Sequence, residues 1–456
     1  HPHDLHRARR TRSRAACCMS RLQRIAALAT LVPALLASGH AQAEDAVLLC
    51  TAANTTDLPA DQQHLRRIVA GADGWLFGER DFILPPLTTL GTQTMLQRFT
   101  EALQHSGIQF AIALVPSRGA VNEAYLTPAI LQNLPYTPAQ LRKGYEAKRE
   151  DLQRAGIAVP DLMTPLHAAS TIDRIYFKRD HHWTPRGATL AAQTMALSLH
   201  TLPSISLLPE RLFKTETGAR VEHKGSYGGF VAQQCGIGML PETRFEQRTL
   251  PVDATLLDDS QPGIVLVGTS YSDEKYNFAG ALSEALHRDI DNRSVTGGGA
   301  GDSILSYLTS PDYAAHKPAL LIWEVPDIYS LNTIDLWRQL IPAAKGACTT
   351  ADALASSEIL PTARPLLPEL AGINTRRGRD FLYLETTDTA FLKFTVSFHY
   401  ADGSVDDVKI NRTTRTQSNG RFFIQLNGSY TAALTGITLE PESTSTSPLT
   451  ARLCKG

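Results

Sequence analysis

The chain has few cysteines, no excess of basic residues and no apolar run long enough to span a bilayer. Its six Cys among 456 residues do not form the CxxC pairs of zinc or redox motifs. The sequence also lacks a P-loop, an EF-hand loop and a dinucleotide-binding glycine fingerprint. We therefore expect no cofactor and no resident metal.

The amino-terminal 43 residues have the pattern of a secretory signal peptide. Met19 is followed by a short basic segment, an apolar run at 25–36 and a small-x-small motif that ends at Ala43. The apolar run is shorter than the roughly 20 residues of a membrane-spanning helix. We expect cleavage after Ala43 and a periplasmic protein rather than a retained anchor, with no structural role for residues 1–18.

The rest of the chain is mildly acidic. Removing the seven Arg and one Asp of residues 1–43 from 44 basic and 45 acidic residues leaves 37 and 44, a net charge of −7. Nucleic-acid binding needs a basic face, so it is not expected. An anionic polymer could bind only through a local basic patch. The length suits two or three domains, and we expect a monomer.

Four cysteines follow the expected cleavage point: Cys50, Cys235, Cys348 and Cys454. An even number in an exported chain indicates two disulfides. Three pairings are possible. We favour Cys50–Cys235 with Cys348–Cys454, because each half of the chain then has its own bridge.

Apolar runs alternate with helix-compatible segments through much of the chain. The runs at 108–115, 264–267 and 319–325 are typical of buried strands, and Thr184-Pro185 is typical of the start of a helix reaching His200. This order predicts an α/β domain with a parallel sheet flanked by helices. A proline-rich linker is expected at 361–368. From Asp380 onward, short alternating runs separated by turn residues predict a β-sandwich.

The segment Asp180-His181-His182-Trp183 is the strongest local indication of catalysis. An acid two residues before a histidine can hold the imidazole in the tautomer that leaves its other nitrogen free to act as a base. We assign the base to His182 rather than His181. Neighbouring histidine side chains diverge, which argues against one metal held by both.

Two serines compete for the role of nucleophile. Ser270 follows a predicted buried strand and Gly268, where α/β active sites form. Ser303 lies in a Gly-Asp-Ser-Ile-Leu segment that imitates the GDSL signature, but a flexible glycine stretch at 297–301 precedes it. We favour Ser270, because a strand aims a nucleophile better. Its backbone N–H is a candidate oxyanion donor, and the glycine stretch could place another donor nearby.

Three motifs together resemble the alginate O-acetyltransferase family of the AlgX and AlgJ type. They lie at 71–77, 180–185 and 268–272, and the resemblance continues through the carboxyl-terminal region, which brings the chain nearer the AlgX type. It implies an SGNH-hydrolase-like catalytic domain at 44–345 and a carbohydrate-binding β-sandwich at 346–456. It also supports Asp180, His182 and Ser270 as the catalytic triad and implies the same two disulfides.

The resemblance further implies substrate-binding residues. They are Arg118, Tyr276 and Tyr329 at the active site, and Lys393 and Thr395 on one strand of the β-module. This chain departs from the pattern at Ser397, where an aromatic residue is expected.

The activity implied is O-acetylation of alginate at mannuronate hydroxyls, or of a related exopolysaccharide, through an acetyl-serine intermediate. The partners implied are an anionic polysaccharide, membrane acetyl-donor proteins and a polymer-secretion complex. Two alternatives stay open on the sequence. One is a polysaccharide acetylesterase, and the other is a non-catalytic polysaccharide-binding scaffold of a secretion complex.

Overall fold

The computed structural model describes residues 58–253, 261–362 and 364–456. The expected signal peptide, its cleavage point after Ala43, and Cys50 lie outside these residues. Among the helices of the described ranges, none combines the length and the hydropathy needed to cross a bilayer.

The described helices and strands have the following bounds. The helices are α1 Leu90–His105, α2 Arg118–Val121, α3 Pro128–Asn133, α4 Pro138–Gln153, α5 Met163–Ala169, α6 Pro185–Leu199, α7 Pro203–Ser206, α8 Ser226–Cys235, α9 Phe278–Leu286, α10 Asp302–Leu308, α11 Pro311–Ala315 and α12 Ile334–Lys345. The strands are β1 Val69–Ala70, β2 Leu76–Phe77, β3 Gln109–Val115, β4 Phe213–His223, β5 Glu242–Pro251, β6 Ile264–Val267, β7 Ile290–Asn292, β8 Leu320–Pro326, β9 Ala353–Ile359, β10 Arg364–Leu367, β11 Phe381–Thr386, β12 Lys393–Tyr400, β13 Val405–Asn411, β14 Arg421–Gln425, β15 Leu434–Pro441 and β16 Leu449–Cys454.

A four-stranded parallel sheet in the order β3-β8-β6-β7 forms the centre of the larger domain. Its three longer strands, β3, β6 and β8, coincide with the predicted apolar runs and are buried along nearly their whole length. Helices flank the sheet, with α1 packed on α12 and α6 on α9. The predicted α/β architecture is confirmed.

Helix α6 begins where the sequence predicts. Thr184 caps it by accepting a hydrogen bond from the N–H of Gly187 at 3.2 Å, and Pro185 occupies its first turn. Because α6 starts immediately after Trp183, this cap also fixes the loop that carries the predicted acid and base.

A long antiparallel ribbon of β4 and β5 was not anticipated. Strand β4 is largely exposed and β5 is mostly half-buried, but both are rich in charged residues and lack the apolar alternation typical of a strand with one buried face. The ribbon packs on α9, and its strand β4 ends at His223.

The carboxyl-terminal region is a β-sandwich of two antiparallel sheets, β14-β11-β16-β9 and β10-β15-β12-β13. Apolar side chains from both sheets form their own buried cluster. The expectation of a linker at 361–368 is wrong, because 364–367 form β10, which pairs with β15. Arg338 of α12 joins the two parts of the chain through a buried ion pair with Asp406, at 2.7 Å.

The disulfide Cys348–Cys454 is present, as predicted. Cys235 is also disulfide-bonded, at the end of α8. Its predicted partner, Cys50, is outside the described residues.

Candidate active site

The structure brings Asp180, His182 and Ser270 into one hydrogen-bonded chain. Nδ1 of His182 donates to Oδ1 of Asp180 at 2.7 Å, and Oγ of Ser270 lies 2.7 Å from Nε2 of His182. Asp180 and His182 are buried, whereas Ser270 is half-buried at the carboxyl edge of the sheet. This is the geometry in which a carboxylate orients an imidazole that activates a serine.

The loop that carries Asp180 and His182 is fixed from both sides. Trp183 is fully buried and donates from Nε1 to the carbonyl of Tyr271 at 2.8 Å, which ties the histidine loop to the serine turn. The N–H of Phe177 donates to the carbonyl of His182 at 3.2 Å. These bonds hold His182 against Ser270.

Ser270 begins a short 3-10 turn directly after β6. Below it, the buried Glu324 of β8 accepts hydrogen bonds from the N–H of Thr269 at 2.8 Å and the hydroxyl of Ser272 at 3.0 Å. Gly268 is required here, because a Cβ at that position would lie 2.6 Å from Oε2 of Glu324. Burial raises the pKa of Glu324 to about 7, against the lowering effect of these hydrogen bonds. Glu324 thus positions the turn without touching the reacting atoms.

The electrostatics suit a neutral base held by an ionised acid. Burial lowers the pKa of the His182 imidazole, and the nearby charges of Arg80 and Lys275 lower it further, which outweighs the opposing effect of Asp180. Burial alone would raise the pKa of Asp180, but its histidine partners hold it well below the usual range. At neutral pH the pair is therefore a carboxylate and an unprotonated imidazole.

His223 also contacts the acid, and sequence reasoning missed it. At the end of β4, its Nε2 donates to Oδ2 of Asp180 at 2.6 Å, while its ring stacks on Phe177 at 3.8 Å. The hydroxyl of Ser226 donates to Oδ1 at 3.2 Å. Asp180 therefore bridges two histidines, one through each carboxylate oxygen.

The side chain of His181 lies beside that of His182 instead of diverging from it, and it contacts Ser226. Its Nδ1 lies 2.8 Å from Oγ of Ser226, and its ring is 3.8 Å from that of His182. Potential ligand atoms of Asp180, His181 and His182 lie within 4.8 Å of one another, a spacing that a metal could bridge. Both nitrogens of His182 already have partners, however, and this is the pattern of a triad. The absence of a resident metal stays a prediction.

The competing serine does not join this group. Ser303 is fully buried in α10, and its hydroxyl has no hydrogen-bond partner among the described residues. The glycine stretch before it packs against the β-sandwich, since a Cβ at Gly297 would lie 1.4 Å from Nη1 of Arg415. Gly297 also has a φ of 75°, in the left-handed region that favours glycine, so the glycine is explained without an oxyanion role.

Arg118 occupies a different position from the one expected of a substrate-binding residue. Its guanidinium is 1% exposed and donates to Asp81 at 3.2 Å and to the carbonyl of Leu76 at 2.6 Å. Further N–H groups donate to the carbonyls of Phe177, at 3.0 and 2.9 Å, and Lys178. A substrate carboxylate would have to displace these acceptors. In this structure Arg118 supports the loop before Asp180 and also lines a small recess beside Tyr271, and its role in substrate binding stays a prediction.

Tyr276 and Tyr329, the two tyrosines predicted to bind substrate, differ in burial and in their contacts. Tyr276 is fully buried, with its ring 5.0 Å from that of His182 and its hydroxyl unpaired among the described residues. Tyr329 is half-buried after β8, and its carbonyl accepts from Nζ of Lys148. Arg80, which the sequence did not single out, lines a small recess beside Tyr271.

On the β-sandwich, Lys393, Thr395 and Ser397 share one face of β12. Lys393 is exposed and Thr395 is half-buried, between Lys409 of β13 and Glu440 of β15. The structure places this predicted polymer contact on an open sheet surface.

A Ser–His–Asp group at the carboxyl edge of a parallel sheet, followed by a β-sandwich, defines an SGNH hydrolase-like protein with an appended β-module. Residues 68–327 match the family described as "SGNH hydrolase-like domain, acetyltransferase AlgX". The chain belongs to the AlgX family.

Named relatives agree with this assignment. The chain is 32% identical over 431 residues to the alginate biosynthesis protein AlgX of Pseudomonas aeruginosa, covering 89% of both chains. It is 33% identical over 285 residues to the probable alginate O-acetylase AlgJ of Azotobacter vinelandii, covering 59% of this chain and 71% of that one. The solved structure of Pseudomonas aeruginosa AlgX superposes with a TM-score of 0.80 at 26% identity, over 90% of this chain and 100% of that one.

Proposed function

We propose that this protein is a periplasmic polysaccharide O-acetyltransferase that carries acetyl groups on Ser270 and transfers them to alginate or a related uronate polymer. The observation that carries the proposal is the continuous Asp180–His182–Ser270 hydrogen-bond chain, with 2.7 Å at each contact. Membership of the AlgX family supports the polymer, because the relatives above are named for alginate.

In the first step, Oγ of Ser270 attacks the carbonyl carbon of the donor acetyl ester. His182 accepts the hydroxyl proton on Nε2, and Asp180 stabilises the imidazolium. The N–H of Ser270 is suited to bind the developing oxyanion, because the first residue of a helical turn has no acceptor for its N–H within that turn. His182 then returns the proton to the departing donor oxygen, leaving acetyl-Ser270.

In the second step, a sugar hydroxyl replaces the donor. His182 removes its proton while the oxygen attacks the acetyl carbon, and the proton passes to Oγ of Ser270 as the ester is released. No redox change occurs, and every proton passes through one imidazole nitrogen. Water in place of the sugar would make the protein an esterase, so exclusion of water decides between these two reactions.

The proposal includes a compartment, a polymer-binding surface and partner proteins. The disulfide Cys348–Cys454 fits an oxidising compartment such as the periplasm, where the expected signal peptide would deliver the chain. Lys393 and Thr395 are proposed to contact the polymer, with the β-sandwich (346–456) acting as a binding module beside a catalytic domain (44–345). Acetyl-donor proteins of the membrane and a polymer-secretion complex are the proposed partners.

The test uses an acetyl-ester reporter with the full chain, with and without an unacetylated mannuronate oligomer, and mass spectrometry of the sugar. The proposal predicts an acetylated oligomer and a transient acetyl group on the Ser270 peptide. Ser270→Ala should abolish both. Acetate release that the oligomer does not affect would favour an esterase instead. A protein that is inert, and unchanged by Ser270→Ala, would contradict both enzymatic functions.

A further inference from the structure

A second cavity, of about 620 Å³, lies where helices α1 and α12 meet the β-sandwich. Four of the side chains that line it are cations or can become cations, namely Arg98, His105, Lys345 and Arg379. Glu101 is the one carboxylate side chain among them. Such an excess of positive charge in a concave site attracts anions.

Some of the cations at this cavity have no partner for their side chains among the described residues. Nη1 of Arg98 donates to the carbonyl of Gly378 at 3.2 Å, which places this guanidinium against the sandwich. Lys345 and Arg379 form no side-chain hydrogen bond or ion pair within the described ranges. Burial and the nearby charges of Arg376 and Arg379 lower the pKa of Lys345, which outweighs the opposing effect of Asp380.

The neighbouring arginines differ from Arg379, because their guanidinium groups already have partners within the protein. Arg376 is paired with Asp380 at 3.1 Å and donates to the carbonyl of Gly456, and Arg377 stacks on Tyr400 at 5.1 Å. Of the basic turn 376–379, only Arg379 keeps its guanidinium available to the cavity.

A buried polar residue forms part of the wall. Gln425 is only 3% exposed and lines the cavity, yet its Oε1 accepts no hydrogen bond from the described residues. Buried amides normally have partners, so an unsatisfied one indicates a missing hydrogen-bonding group. A ligand with both a charge for the arginines and hydroxyls for the amide would satisfy this site.

The cavity is far from Ser270. Its residues precede β3 and end α12, as the contact of Oγ of Ser106 with the carbonyl of Ala344 at 3.3 Å shows. Ser270 follows the opposite ends of the strands. Seven residues of β3 separate the two edges by about 20 Å.

We propose that this cavity is a binding site for a carboxylate-bearing sugar, held by Arg379, Lys345 and Arg98 through its carboxylate and by Gln425 through a hydroxyl. Arginine is suited to bidentate pairing with a carboxylate, and the volume lies in the range of small-ligand pockets. The identification of the sugar as a unit of the acceptor polymer rests on the proposed function. A polymer held here and at Ser270 would be anchored across the protein.

Calorimetric titration of the full chain tests the proposal with three probes: a mannuronate oligomer, a neutral mannose oligomer and inorganic phosphate. A Lys393→Ala, Thr395→Ala background removes the other polymer contacts proposed on the β-sandwich. In that background, Lys345→Glu with Arg379→Glu should weaken mannuronate binding at least tenfold. Lys143→Glu, an exposed charge reversal on α4, is the matched control and should change it less than twofold.

Mannuronate affinity that the double reversal leaves unchanged would overturn the proposal, as would equal binding of the neutral oligomer. A protein that binds inorganic phosphate but does not bind the mannuronate oligomer would also overturn the proposal. The milder pair Lys345→Gln with Arg379→Gln, together with thermal unfolding, separates loss of binding from loss of fold. Binding that persists in a protein unable to acetylate would contradict only the proposed function.

Discussion

Replacing Asp180 by Asn tests whether the second histidine protects the tautomer of the base. In a triad with a single histidine, this change presents an amide NH₂ to the imidazole and costs about 10⁴-fold in kcat, because the proton moves to the wrong nitrogen. Here one carboxylate oxygen bonds to His182 and the other to His223, at 2.7 and 2.6 Å. The substituted amide can turn its NH₂ toward His223, whose ring can accept by changing its own tautomer. The amide oxygen then continues to accept from His182.

The loss should then come mainly from the missing charge. Hydrogen bonds to charged groups contribute about 1.5–3 kcal/mol and neutral ones about 0.5–1.5 kcal/mol, so the difference is about 1–2 kcal/mol. At about 1.4 kcal/mol per factor of ten, Asp180→Asn should lower kcat about 5- to 30-fold rather than 10⁴-fold.

The assay is steady-state cleavage of an acetyl-ester reporter, with thermal unfolding as a check on the fold. His223→Phe preserves the stacking on Phe177 but removes the acceptor, and alone it should cost less than about tenfold because Asp180 stays ionised. Combined with Asp180→Asn it should bring the loss to about 10³- to 10⁴-fold. If Asp180→Asn alone already costs 10⁴-fold, and His223→Phe adds nothing, the tautomer argument is wrong.

Three further predictions concern pH, the rejected serine and the contact between domains. Because the pKa of His182 is lowered and only the unprotonated ring can accept the Ser270 proton, kcat/KM should rise with pH through a value below about 6.5 and level off by neutrality. A midpoint of the kcat/KM–pH curve well above pH 7 would contradict the role of an unprotonated His182 with a lowered pKa. Ser303→Ala should keep wild-type reporter cleavage, and a loss in a folded variant would reopen the choice of nucleophile. Removing the charge of Asp406 by Asp406→Ala should lower the free energy of unfolding by about 1–3 kcal/mol in chemical denaturation, since the buried Arg338 then keeps only Asp335, at 3.6 Å, and the carbonyl of Gln425 as partners. A fall of less than about 1 kcal/mol in the free energy of unfolding would show that water replaces the lost carboxylate.

The sheet could be predicted because three of its four strands, β3, β6 and β8, are continuous apolar runs, whereas the short β7 has no such pattern. The histidine loop could be predicted because Asp180 and His182 are two residues apart. The proposed nucleophile followed from position, as Ser270 lies three residues after the end of β6. These are local signals, which a single sequence contains. The sandwich strands β11 to β15 were found for the same reason. Strands β9 and β16 were not among the predicted runs, and the prolines at 361–368 concealed β10, an edge strand.

The supporting residues were less accessible to sequence reasoning. His223 reaches Asp180 through an exposed ribbon with no apolar pattern, so nothing local connects it to the site. Arg118 follows a strand, as a substrate-binding residue would. Its guanidinium, however, donates to carbonyls of distant loops, and a single sequence does not show such contacts. Glu324 did leave a signal, because a carboxylate inside the apolar run at 319–325 needs a buried partner.

The contact of Gly268 with Glu324 has an evolutionary consequence. No side chain at 268 can coexist with the carboxylate beneath it, and without that carboxylate the turn holding Ser270 loses its anchor. The two positions should therefore covary. Among homologues, a methyl group at 268 should accompany a shorter residue at 324, and glycine at 268 should accompany an acid. A substitution at either position is expected to persist only where the other has changed to match it.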